Sequence, residues 1–110
     1  VMGANGLLSG AGSVIADLQV ALFKAVKAND MINAKSVADR IWYTSQVFYS
    51  DPFGDMHNRM KEALVLLGRM KRAIVRPPLV KITELEIARI AEALDSAGIN
   101  SHESNQKAAE

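Results

Sequence analysis

The sequence predicts a small, mainly α-helical unit with one short strand and about four helices. Three observations carry this. Apolar residues recur at three- and four-residue spacing over most of the chain. Helix starts and stops are marked by Asp30, by Thr83-x-x-Glu86, and by Gly68 and Gly98. The 110 residues, 49% of them hydrophobic, suffice for one core and not two.

The opening, Gly3 to Gly12, holds four of the seven glycines around Leu7 and Leu8. A short apolar run between glycines reads as one buried strand or a tight turn. Such an opening, together with a first residue that is Val1 and not Met, suggests a piece of a longer protein. From Val14 the period becomes helical through Ile15, Leu18, Ala21, Leu22, Ala25 and Val26, with Ser13 as the expected cap. Asn29-Asp30 interrupts, and Asp30 caps a second helix that carries Ile32, Ala34, Val37, Ala38, Ile41, Trp42, Ser45 and Phe48 on its apolar face. That helix should stop near Ser50, because Asp51-Pro52-Phe53-Gly54 is turn chemistry.

A third helix is expected from about Asp55 to Leu67, with Met56, Met60, Ala63, Leu64 and Leu67 inward and Gly68 in the left-handed closing position. Pro77-Pro78 exclude a helix between Met70 and Ile82. Thr83-Glu84-Leu85-Glu86 is a capping box that opens the last helix, and Gly98 follows its end. The polar, aperiodic stretch 100–110 reads as a flexible tail.

Several chemistries are excluded or weakened by composition. Without cysteine there is no disulfide, thiolate metal site or thiol nucleophile. The two histidines, His57 and His102, lack a ligand-spaced partner, so no metal is expected. A net charge of +1 gives no polyelectrolyte signature for nucleic acid or an anionic membrane. No apolar run approaches the roughly 18 residues of a membrane span, and no signal peptide is evident, so a cytoplasmic protein is expected. Seven cations against Glu62 alone lie between Arg59 and Lys81, with no aromatic or amide side chain interleaved to read bases. A solvated face, or one paired with the acidic last helix (Glu84, Glu86, Glu92, Asp95), fits better than a nucleic-acid site.

The glycine-rich loop could offer backbone amides to an anion, yet it matches neither the dinucleotide fingerprint nor the P-loop, and close backbone packing is the competing account. Trp42 and Phe48 read as core, whereas Tyr43 and Tyr49 point elsewhere and could meet a partner. No lysine has the apolar surroundings that a Schiff-base amine needs. No cofactor is implied.

Four segments in order carry a resemblance. They are Gly3-Ala4-Asn5-Gly6-Leu7-Leu8-Ser9-Gly10; Ala25-Val26-Lys27-Ala28-Asn29-Asp30-x3-Ala34; Met60-Lys61-Glu62-Ala63-Leu64-x2-Leu67-Gly68; and Arg76-Pro77-Pro78-Leu79. Together, over roughly residues 2–99, they resemble the carboxy-terminal third of the dihydrodipicolinate synthase and N-acetylneuraminate lyase family. In that family the last barrel strand has the form G-x-x-G-hydrophobic-hydrophobic-S, and an R-x-P-L turn leads to a final helix.

The resemblance implies a carboxy-terminal fragment of an α/β (β/α)8 TIM barrel. Residues 1–28 would be the last barrel strand and helix eight, and 29–99 the helical C-terminal subdomain. It implies Schiff-base lyases or aldolases that act on pyruvate-type 2-oxo acids, built as homo-oligomers, tetramer or dimer. The family's lysine and tyrosine would precede Val1, so no catalytic residue lies in this chain. Barrel sites sit at the carboxy-terminal strand ends, and the match puts Gly6, Leu8 and Ser9 on the substrate side, with Leu8 in the wall beside the lysine. Gly12-Ser13 stands where the lysine-pathway synthases have an alanine-asparagine pair, so a sugar-acid aldolase or dehydratase fits as well. Without its barrel, the first helix would leave Leu18, Leu22 and Val26 as an exposed stripe. The alternative from a different class is a free-standing helical protein-interaction module that uses its aromatic face.

Overall fold

In the computed structural model, which describes residues 2–99, four helices follow one another: α1 (Gly12–Lys27), α2 (Met31–Phe48), α3 (Met56–Leu66) and α4 (Glu84–Ser96). A single 3-10 turn, Phe53–Asp55, leads into α3. Helix α2 is central, with α1 packed on one side and α4 on another, while α3 bridges α4 and α2 and touches α1. The core draws on every helix: Val14, Ile15 and Leu18 of α1, Val37 and Phe48 of α2, Met60 and Ala63 of α3, Ile90 and Leu94 of α4.

The stop signals act as chemistry requires. Asp30 caps α2 by accepting the Asn33 amide at 3.1 Å. Thr83 and Glu86 form the reciprocal capping box of α4. Gly68 (φ +70°), Gly98 (φ +67°) and Asn29 (φ +57°) take the left-handed position after α3, α4 and α1. Each lets two following amides close the exposed carbonyls of the last turn, as Gly68 and Arg69 do on Val65 and Leu64.

Four expectations are corrected. No strand occurs among the described residues: Leu7 and Leu8 are non-helical, and a strand exists only where a second segment pairs with it. Ser13 is not the cap of α1, because the helix begins at Gly12 and the Ser13 hydroxyl donates back to the Gly10 carbonyl instead. Trp42 is 62% exposed and outside the core, since the buried stripe of α2 runs through Ala34, Val37, Thr44 and Phe48 and leaves Trp42 off its edge. The stripe expected to be bare on α1 is largely covered: Leu18 is buried against the core, and Leu22 and Val26 are half-buried beside α2. Exposed apolar side chains on α1 are Val20 and Phe23.

The core also holds charge. Arg59 is 1% exposed. One guanidinium nitrogen donates to the carbonyls of Ser50 (2.7 Å) and Pro52 (3.3 Å), and the other to Asp51 (3.2 Å) and to Glu86 Oε1 (3.3 Å). Glu86 uses its second oxygen, Oε2, for the amide and hydroxyl of Thr83. One arginine therefore joins the end of α2, the connection to α3 and the start of α4.

Two more arginines work on backbone. Arg40 of α2 donates to the carbonyls of Ala97 (2.8 Å) and Gly98 (3.4 Å) at the end of α4. Arg69 donates to the Val14 carbonyl (2.9 Å), one residue before Ile15, whose φ −117° and ψ 30° break the helical run of α1. A side chain that takes a helix carbonyl at a break is a recognised cause of such a kink.

Replacing Arg59 with Met should cost about 3 kcal/mol, because it removes the donors to three carbonyls and leaves a half-hidden carboxylate without its partner. Arg59→Lys should restore less than about half of that, since one ammonium cannot reach all of them. Urea unfolding of the three proteins measures both; a Lys variant equal to wild type would show that charge alone suffices.

Candidate functional site

The glycine-rich opening ends in a tight turn. The amides of Gly12 and Ser13 donate to the carbonyls of Ser9 (3.1 Å) and Gly10 (3.3 Å), and those of Val14 and Ile15 both donate to Ala11 (2.9 Å). All four amides at the start of α1 are thus taken by backbone. An anion placed there would find no free donor, so close packing is the outcome. A side chain at Gly10 would touch His57 and Met60 at 3.7 Å, and one at Gly12 would crowd the Gln19 amide oxygen at 3.1 Å.

Upstream of this turn the chain passes beside the outer face of α1, and a groove of about 550 Å³ lies between them. Its floor is Leu22, Phe23 and Val26 of α1 with Met31 of α2, and its other wall is residues 3–7. Lys27 lines one end, its ammonium 5.7 Å from the centre of the Phe23 ring, within range of cation–π attraction. Ser9 is half-buried, and its hydroxyl accepts a hydrogen bond from Gln19 Nε2 at 3.0 Å, which ties the segment to α1.

The three residues expected on the substrate side are not brought together. Gly6 lines the groove, Ser9 faces Gln19 outside it, and Leu8 is 102% exposed and touches neither. Phe23 and Gln19 line the groove although no motif in the sequence singles them out, and Lys27 lines it with them. The signal available for them was weak: Phe23 is the one aromatic outside the Trp42–Phe53 group, and Gln19 is the polar residue next to an otherwise apolar stripe.

The cationic stretch is divided in the folded chain. Arg59 and Arg69 turn inward onto carbonyls and Glu86, Lys61 donates to the Ile74 carbonyl, and Lys81 lies 3.7 Å from Glu84. The last helix supplies both carboxylates, which is the internal pairing the charge pattern anticipated. The remaining aromatics take no part in the groove: Tyr49 and Phe53 stack with ring centres 6.4 Å apart, seven residues and more beyond the exposed Trp42. Among the described residues no three His, Asp or Glu side chains converge, and no helix is long and apolar enough to cross a membrane.

Comparison with known proteins adds one relation. The chain is 31% identical over 97 residues to the 4-hydroxy-tetrahydrodipicolinate synthase of Kineococcus radiotolerans. It is distantly similar to a synthase of the dihydrodipicolinate type. The match takes in 88% of this chain and 31% of that enzyme, so the chain spans about a third of the length of the curated relative it matches. No family model matches the sequence, and no solved structure matches it.

Since Leu8 is fully exposed and buries nothing in this chain, Leu8→Asp should leave unfolding free energy within about 0.5 kcal/mol of wild type. Leu18→Ala, in the core, should cost about 2–5 kcal/mol. Denaturant titration of both variants compares a surface with a packed position.

Proposed function

We propose that this chain is the carboxy-terminal part of a Schiff-base-forming lyase or aldolase that acts on pyruvate-type 2-oxo acids. The observation that carries the reading is the 97-residue match to a 4-hydroxy-tetrahydrodipicolinate synthase. The four ordered motifs from Gly3 to Leu79 agree with it. In this reading residues 1–28 are the last strand and helix of a barrel, and 29–99 its helical C-terminal subdomain. The parent is a cytoplasmic homo-oligomer that needs no cofactor.

The chemistry divides accordingly. Imine formation needs a lysine amine in a closed, desolvated pocket with a hydroxyl to move the proton. Lys24 and Lys27 both stand exposed on α1, and Lys35 is held by Asp39 on the surface of α2 at 2.6 Å. None of the three has those surroundings, and the family resemblance puts the amine in the part of the parent that precedes this chain. The contribution of this chain is then a wall: Gly6 keeps the backbone open to a small substrate, while Leu8 and Ser9 supply one apolar and one hydroxyl contact. A sugar-acid aldolase or dehydratase shares that arrangement and differs in the second substrate.

A reading of another class, a free-standing helical interaction module, draws on one observation, the exposed aromatics Trp42, Tyr49 and Phe53, the last two stacked. The two separate by chemistry on the purified chain. Incubated with pyruvate and borohydride, the chain should keep its mass, because no amine here is activated; a single adduct on Lys24 or Lys27 would overturn the division of labour. In the parent enzyme, Leu8→Asp should lower kcat/KM more than it lowers Tm, since a carboxylate in the wall repels an anionic 2-oxo acid. A folded variant with unchanged kcat/KM would remove Leu8 from the site.

A further inference from the structure

In the lyase reading a barrel strand leads into α1, and the fold decides which end of that strand the helical subdomain meets. Helix α1 begins at Gly12, just past the strand segment, and runs away from its end. Helix α2 follows after residues 28–30 alone and packs along α1, so it runs back. Arg59, in the first turn of α3, then holds the connection that follows α2. The start of α3 is thereby brought beside the start of α1, and the contacts agree. A side chain at Gly10 would touch His57 and Met60 at 3.7 Å, and Arg69, just past the end of α3, reaches the Val14 carbonyl. In a barrel the carboxy-terminal strand ends are the face on which substrates are handled.

Of the two side chains against Gly10, Met60 is buried in the core and His57 is exposed. Its neighbours Asn58 and Arg59 turn inward and spend their donors on backbone carbonyls. Among the described residues no hydrogen bond or ion pair occupies the His57 ring. The atom nearest Gly10 is Cε1, the carbon between the two ring nitrogens, so both nitrogens flank the strand end. We propose, on the basis of the lyase reading, that His57 is a specificity-determining residue of the parent: its imidazole hydrogen-bonds the second, carbonyl substrate. The 2-oxo acid is small and is fixed as an imine on an amine elsewhere in the parent. Whatever is joined to it extends outward, toward the rim on which His57 stands. A neutral imidazole offers one donor and one acceptor, which suits a hydroxyl or a carboxylate on that second substrate.

Two rates of the parent enzyme separate this role from imine formation. Exchange of the pyruvate methyl protons with D2O needs the imine but no second substrate, whereas condensation with D-glyceraldehyde or succinate semialdehyde needs both. His57→Ala should leave exchange within about twofold of wild type. It should lower kcat/KM for the aldehyde turned over faster by at least about tenfold, chiefly through KM, as expected for losing one hydrogen bond to a bound substrate. His57→Gln, which keeps a hydrogen-bonding side chain, should recover part of that loss, and Lys35→Ala, near the start of α2, should change neither rate. Because His57 is exposed, neither of its variants should lose the fold, and normal exchange verifies this. Unchanged condensation, exchange and condensation falling together, or a Gln variant no better than Ala would each overturn the proposal. If the parent accepts neither aldehyde, the thiol introduced by His57→Cys decides. Its alkylation by iodoacetamide, followed on its peptide, should slow at least about threefold once pyruvate is trapped with borohydride, because access governs thiol reactivity; an unchanged rate overturns the proposal. A parent that exchanges no pyruvate protons removes the lyase reading and the proposal with it. One that exchanges normally and is indifferent to His57 removes the proposal alone.

Discussion

The helices depend on a charge placed where water does not reach. Arg59 is among the most buried large side chains, yet every one of its strong contacts is polar. Taking a guanidinium out of water costs several kcal/mol, and that cost is offset only if its donors find acceptors in good geometry. Here the acceptors are three consecutive carbonyls, Ser50 to Pro52, which a connection between helices would otherwise turn to solvent, and the carboxylate of Glu86. The planar fork of arginine suits that set, and a lysine does not. Hydrophobic burial supplies the bulk of the driving force, and the arginine fixes which arrangement of α2, α3 and α4 receives it.

The same logic recurs in smaller form. Arg40 closes the end of α4, and Arg69 takes a carbonyl at the break in α1. Each reaches across more than fifty residues of sequence to a carbonyl rather than to an acid. Asn58 belongs to this layer too, donating to the Val80 carbonyl at 2.6 Å and so holding the irregular stretch between α3 and α4 against α3. That stretch has no helix of its own, because its prolines forbid one, and it is pinned by side chains instead.

Much of this was legible in the residues, and the boundary of legibility has a physical cause. Local signals succeeded: Asp30, the Thr83–Glu86 box, Gly68 and Gly98 act through groups within a few positions of themselves, so a linear pattern contains them whole. Periodicity found the inward face of α3, with Met60 and Ala63 in the core, for the same reason. Trp42 failed because a broad apolar face says nothing of which edge a neighbour covers. Arg59 failed because its partners lie eight and twenty-seven residues away, and nothing in a run of cations marks the one that turns inward. The strand at Leu7 and Leu8 failed because strands are made by their neighbours. For the groove, Gly6 and Leu7 of the glycine-rich motif line one wall, while Phe23, in no quoted motif, enters only through the packing of α1 on that segment.

The contact between Arg69 and Val14 has a consequence in time. Its two ends are 55 residues apart, the first at the beginning of α1 and the second beyond the end of α3. During synthesis α1 is made before Arg69, so its Val14 carbonyl lacks this guanidinium donor until Arg69 has followed. Contacts of such long sequence separation form late, because loop closure must be met before they contribute. The hydrogen bond that meets α1 at its break therefore depends on a residue translated after the whole of α1, α2 and α3.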